Sequence, residues 1–250
     1  FAPERFTTTH STSIALAAPM IEAGLWYRPS YYPKIGENDW LVSCNREVLS
    51  VRKNVGVSDV STLGKIELQG KDAGKFLDFV YTNSFSSLAV GRVRYGLMLR
   101  EDGFVMDDGT SARLSENSYL MTTTTAAAGP VMRHLDFVHQ AYRQDLDVRF
   151  VSVTEQWAQF AVSGPKSRDV LTKLFPDLDV SNEKLPFMGY VEGNLFGVEA
   201  RIFRISFSGE LAYEINVQSD HGLFMWEKMM EIGKEFGIQP YGTEALSTLR

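Results

Sequence analysis

Apolar residues along the chain recur at two spacings, and the spacing switches often. Ile66 and Leu68 alternate with Lys65, Glu67 and Gln69, the period of two that turns one face of a strand toward a core. Leu97 and Leu99 alternate with Met98 and Arg100, Asp102-Gly103 tolerates positive φ, and Phe104, Val105 and Met106 resume the extended pattern. Residues 94–109 therefore predict two strands folded about a turn. Further strands are expected over 112–114 and 118–121, 148–153, 157–162 and 211–217, with a hairpin over 191–205 turning at Gly193-Asn194. In the 211–217 strand Leu211, Tyr213, Ile215 and Val217 share one face, which leaves Glu214 with Ala212 and Asn216 on the other.

Between these strands the period lengthens toward that of a helix. Helices are predicted over 37–53, over 72–81 with Asp72 as cap, and over 126–143 with Thr125 as cap. Another opens at Pro165 and runs through Phe175, and a last one starts at Asp220, carries Leu223, Trp226, Met230 and Phe236 on a stripe, and ends at Gly237. The mixed order predicts an α+β protein with largely antiparallel sheets and flanking helices, and excludes a regular βαβ array. Residues 1–19 are rich in Thr, Ser, Ala and Pro without a sustained period, so 1–45 is expected to be a lead-in or connecting segment and 46–250 the domain. Within that segment Trp26, Tyr27, Tyr31 and Tyr32 surround Arg28, a stacking site for a flat ligand or a loop pinned by aromatic anchors.

Composition narrows the function classes. A net charge of −6 and a pI near 5.3 exclude a general nucleic-acid binder. The single cysteine, Cys44, can form neither an internal disulfide nor a multi-thiolate metal site, and the four histidines lack metal-ligand spacing. No metal is expected, and the chain reads as intracellular and cytoplasmic. No apolar run is long enough to span a membrane, and no signal peptide opens the chain. It begins at Phe1 and stops within a nascent helix, so a piece of a longer protein is expected. Dinucleotide, P-loop and nucleophile-elbow patterns do not occur, so this stretch shows no flavin, nucleotide or hydrolase site of its own.

Asp107 and Asp108 require an explanation, because Asp is depleted in strands and neighbouring side chains point to opposite faces. Only one of the two can face a given pocket. Pattern alone leaves the pair open between a surface turn eased by Gly109 and a functional carboxylate.

An ordered set of motifs decides between them. Val55–Ser61, Tyr95–Leu99, Asp102–Asp108, Val162–Pro165, Ser208–Ile215 and Ser247–Arg250 resemble the folate-binding fold of the glycine-cleavage T-protein (aminomethyltransferase) family, in order along the chain. Gly24–Pro29, Arg46–Leu49, Ser61–Ile66 and Met121–Thr125 further resemble the C-terminal half of the sarcosine oxidase alpha subunit. The resemblance implies tetrahydrofolate-dependent one-carbon transfer, trapping the product of N-methyl amine oxidation as 5,10-methylenetetrahydrofolate. Flavin and NAD would then lie in other domains or subunits of a hetero-oligomeric oxidase, and the family's C-terminal barrel is missing from this sequence. A stand-alone aminomethyltransferase and a non-catalytic folate-binding module are the alternatives. The resemblance names Asp107 as the catalytic carboxylate, Glu214 as the acceptor for the pterin ring, and Tyr95 and Phe207 as aromatics beside it. Leu246 stands where the family carries an Arg for the folate tail, which leaves that task to Arg28, Arg94 or Arg113.

Overall fold

A computed structural model describes residues 4–250, so the first three residues of the expected lead-in lie outside the described residues. Chain order runs α1 (His10–Ala15), β1 (Met20–Ala23), β2 (Trp26–Pro29), α2 (Trp40–Lys53), β3 (Val55–Asp59), β4 (Gly64–Gln69) and α3 (Ala73–Val80). It continues with β5 (Val93–Leu99), β6 (Val105–Ser115), β7 (Ser118–Thr123), α4 (Ala128–Ala141), β8 (Arg149–Ser152), β9 (Trp157–Ser163) and α5 (Ser167–Leu174). The last elements are β10 (Tyr190–Leu195), β11 (Val198–Phe203), β12 (Ala212–Gln218), α6 (Gly222–Gly233), β13 (Ile238–Pro240) and α7 (Thr243–Leu249). The fold is α+β, and β3–β13 is its one parallel pair among the described strands.

The chain forms two compact units. The first comprises residues up to 62, 155–187 and 191–250, and holds the six-stranded sheet β10-β11-β12-β9-β3-β13. One face of that sheet is apolar: Val55, Val57, Phe160, Val162, Tyr213, Ile215 and Val217 pack with Leu171 of α5 and with Met225, Trp226 and Met229 of α6. Its opposite face carries Ser58, Gln159, Ser163 and Asn216, all buried, together with Glu214. Period-two alternation placed these residues, and it leaves one sheet face polar. Residues 4–45 belong to this unit and supply α1 and the β1–β2 hairpin, with Ala18, Trp26 and Tyr32 buried. Those few large apolar residues, and not a helical period, anchor the segment.

The second unit, 63–154 with 188–190, holds the sheet β5-β6-β7-β4-β8. Its core joins Ile66 and Leu68 of β4, Phe76, Leu77 and Val80 of α3, Met98 of β5, Met121 of β7, and Val131, Leu135 and Val138 of α4.

Two local expectations change. The β10–β11 turn falls at Phe196-Gly197, both at positive φ, and not at Gly193-Asn194. Gly193 is an interior position, where a Cβ would come within 3.0 Å of Ile202 and 3.1 Å of Phe175. Its missing side chain serves packing and not a turn. Thr125 does not stand at the cap of α4: it opens a helical turn, Thr125–Ala127, that precedes the helix, and Ala127 holds the cap position.

Candidate functional site

The hairpin β5–β6 sets the geometry of the candidate site in the second unit. Gly103 takes φ +84° in its turn, a left-handed conformation suited to glycine. Met98 pairs with Asp107 and Leu97 with Asp108. Directly paired residues of antiparallel strands share a face, so the two carboxylates part company.

Asp107 looks with Met98 toward the core and is 7% exposed. Its carboxylate accepts the Thr124 N–H at 3.2 and 3.3 Å, where the chain leaves β7 and begins the helical turn ahead of α4. It caps that turn from across the sheet. Burial pushes its pKa up, and its charge adds to burial in raising the Tyr81 hydroxyl. Between the ordinary carboxylate pKa and the raised value, the folded chain holds a proton that the unfolded chain has released, so rising pH costs stability across that window. Asp107→Asn keeps an acceptor and carries no charge. It is expected to melt about 2–4 °C above the parent at pH 8, and calorimetry at falling pH should show the gap close toward the ordinary carboxylate range.

Asp108 takes the other face. The Tyr95 hydroxyl donates to its Oδ2 at 2.7 Å, and Tyr95 is 45% exposed. Thr110, paired with Tyr95, extends this polar face, its hydroxyl 3.0 Å from that of Thr122. Gly109 lets β6 approach β7 closely, since a Cβ there would lie 2.0 Å from the Thr122 carbonyl oxygen. Tyr95 and Asp107, expected at one ligand, thus lie on opposite faces of the hairpin, and the carboxylate that accompanies Tyr95 is Asp108.

In the first unit Glu214 projects from the polar face of β12. Gln159 Nε2 donates to its Oε2 at 2.8 Å. The buried Tyr241 hydroxyl, 3.2 Å from Ser163 Oγ, has its pKa pushed up to about 12 by burial, with the Glu214 charge adding to the effect. Phe207, in the loop before β12, is 47% exposed, and the Arg250 guanidinium lies 4.8 Å above its ring. This geometry suits a cation–π contact.

The cationic candidates differ in their engagements. Arg113 donates to the main-chain carbonyls of Leu88 at 2.7 Å and Glu116 at 2.8 Å, and Arg94 bonds the Ser84 carbonyl. Both are committed locally. Arg28 makes no ion pair within 4 Å among the described residues, and its buried Nε has no hydrogen-bond partner. Burial pushes its pKa down while Asp59 opposes the shift. Leu246 packs against the small cluster of Cys44, Val51 and Tyr241. Gln159 and Arg250 carry no signal in the sequence, whereas Asp108 is weighed beside Asp107 as the member of the pair on the opposite face. Among the described residues no group of three or more His, Cys, Asp or Glu side chains could hold a metal ion, and no helix is long and apolar enough to cross a membrane.

Comparison with known proteins places this geometry in context. A family model described as the GCVT N-terminal domain matches residues 9–250. Sarcosine oxidase subunit alpha of Rhizobium meliloti (strain 1021) is 52% identical over 252 residues, covering all of this chain and 25% of that protein. The chain thus spans about a quarter of that relative. An aminomethyltransferase of Pseudothermotoga lettingae is 30% identical, with 98% of this chain and 63% of the relative covered. Among solved structures, glycine cleavage system aminomethyltransferase T from Bartonella henselae matches with a TM-score of 0.82 at 22% identity, covering 98% of this chain and 62% of that one. That likeness shows the aminomethyltransferase fold.

Proposed function

Because the chain belongs to the GCVT N-terminal domain family, we propose that it is the folate-binding, one-carbon-transfer domain of a sarcosine oxidase-like enzyme. In that role it traps the iminium product of N-methyl amine oxidation as 5,10-methylenetetrahydrofolate. The observation that carries the proposal is the carboxylate–hydroxyl pair Asp108–Tyr95 on the polar face of the hairpin. Each unit by itself carries residues that suit folate: the second a half-buried carboxylate held by a phenol, the first an acidic acceptor at Glu214, an exposed ring at Phe207, and two cations, Arg28 and Arg250, not consumed by main-chain carbonyls.

Tetrahydrofolate, when bound, supplies the amine nitrogens that take up the one-carbon unit. Asp108 stabilises positive charge developing on nitrogen and accepts the proton released there, and Tyr95 holds its carboxylate in one orientation. This assigns to Asp108 the task expected of Asp107, whose carboxylate is spent on the Thr124 N–H. Glu214 accepts hydrogen bonds from the ring edge, Phe207 stacks beside it, and Arg28 or Arg250 meets the tail carboxylates in place of the Arg absent at Leu246.

Flavin and NAD chemistry belongs to other domains or subunits of the longer protein, in a hetero-oligomeric assembly in the cytoplasm. A structural neighbour at 15% identity is a chain of the heterotetrameric sarcosine oxidase from Corynebacterium sp. U-96. The aminomethyltransferase relative favours a second reading, transfer from an aminomethyl carrier without an oxidase half. Calorimetric titration of the full-length protein with tetrahydrofolate is expected to give one saturable site per chain on this domain. No saturable binding would overturn the proposal.

A further inference from the structure

The Asp-Val-Ser stretch at the end of β3 has no part in the chemistry above, yet it leads by hydrogen bonds to Glu214. Asp59 Oδ1 accepts the Ser61 N–H at 2.9 Å, and Asp59 is itself held by the Thr9 hydroxyl. The Ser61 hydroxyl accepts the Gln159 N–H at 2.9 Å and lies 3.3 Å from the Gln159 carbonyl oxygen. That carbonyl also accepts the Val60 N–H at 2.9 Å. Both main-chain groups of Gln159 are therefore bound on the side facing β3. Its side chain then reaches diagonally across β9–β12 to donate from Nε2 to Glu214 Oε2 at 2.8 Å.

Gln159 is fully buried, and its Oε1 has no hydrogen-bond partner among the described residues. Asn216, directly paired with Gln159 and also fully buried, has both amide atoms in the same condition. Buried on every side, the Gln159 amide keeps its Nε2 on Glu214.

We infer that Gln159 is a positioning residue: its Nε2 fixes the Glu214 carboxylate so that both oxygens meet the amino-pyrimidinone edge of the ligand. This rests on Glu214 as the ring acceptor. The chemistry matches: such an edge presents a ring N–H and an amino hydrogen side by side. The two oxygens of Glu214 meet the ring N–H and one amino hydrogen in line only when the carboxylate is held in the plane of that edge, which is what the Gln159 amide does. Asp59 and Ser61 serve by holding the Gln159 backbone.

The experiment is calorimetric titration of the full-length protein with tetrahydrofolate, using Gln159→Met, Glu214→Gln and the double variant. Gln159→Met preserves side-chain length without a donor or acceptor. It should weaken binding about tenfold with an unchanged melting temperature. The double variant should bind no more than about twofold more weakly than Glu214→Gln alone, because both changes remove one unit.

Full affinity in Gln159→Met, or strictly multiplicative losses in the double variant, would overturn the inference while leaving Glu214 in its role. Full affinity in Glu214→Gln would instead overturn the reading of the site. Should Gln159→Met melt lower, Gln159→Glu decides. A second carboxylate beside Glu214 should weaken binding more than Met does, and unchanged affinity there would sink the inference.

Discussion

Asp108→Asn in the full-length protein is expected to lower the single-turnover rate of methylene transfer to tetrahydrofolate by about a hundredfold or more, equivalent to roughly 3 kcal/mol of barrier. Asn can still accept from the Tyr95 hydroxyl, so affinity for tetrahydrofolate should change only about threefold. The loss is in charge: an amide neither neutralises a developing ammonium nor takes its proton. Amine oxidation, assigned to another part of the longer protein, should proceed at the parental rate. Rapid-quench measurement of methylenetetrahydrofolate reads the transfer, and an oxygen electrode reads the oxidation. A transfer rate within threefold of the parent would remove Asp108 from the chemistry.

Glu214→Gln should show the complementary split. The carboxylate offers two acceptors to a donor edge, and an amide offers one acceptor and a mismatched donor. Gln159 Nε2 already donates to Oε2 at 2.8 Å, so the new amide is further constrained in how it can turn. Binding of tetrahydrofolate should weaken by about a hundredfold, since a site built for hydrogen-bond donors is left with a buried clash. At saturating ligand the transfer rate should recover to within about fivefold of the parent, because Glu214 is assigned to the ring and not to the reacting nitrogens. Titration and saturation kinetics separate the two effects. Unweakened binding would reassign Glu214.

Periodicity carried most of the architecture, because β9 and β12 each turn one apolar and one more polar face. Tyr213, Ile215 and Val217 lie in the core, and Glu214 lies opposite them, as alternation requires. Helical stripes were legible where both faces of the pattern differed, as over Phe76, Leu77 and Val80. The final helix was less clear: Leu223, expected on the stripe, is 37% exposed, while Met225 and Met229 are buried. Leu and Met are apolar alike, so a helix carrying both on several sides does not declare its buried face.

The Asp pair shows what the site lacked. A turn centred on Asp102-Gly103 already pairs Leu97 with Asp108 and Met98 with Asp107, so register placed Asp108 beside Tyr95. Motif matching, which weighs residue identity above face, chose its neighbour. Gln159 gave no local signal, since a glutamine in an apolar strand becomes informative only when its cross-strand partner is known. Arg250 follows the last residue of α7, four positions beyond Leu246, and its stacking on Phe207 depends on a contact distant in sequence.

In the proposed function the open face of this hairpin carries the one-carbon transfer through Asp108. The most direct measurement is how the carbon partitions when the full-length protein oxidises an N-methyl amine with saturating tetrahydrofolate present. Released formaldehyde and methylenetetrahydrofolate would be quantified together for the parent, Asp107→Asn and Asp108→Asn. The parent and Asp107→Asn are predicted to deliver most of the carbon to folate, and Asp108→Asn to release most of it as formaldehyde. Loss of folate product in Asp107→Asn with retention in Asp108→Asn would contradict the account.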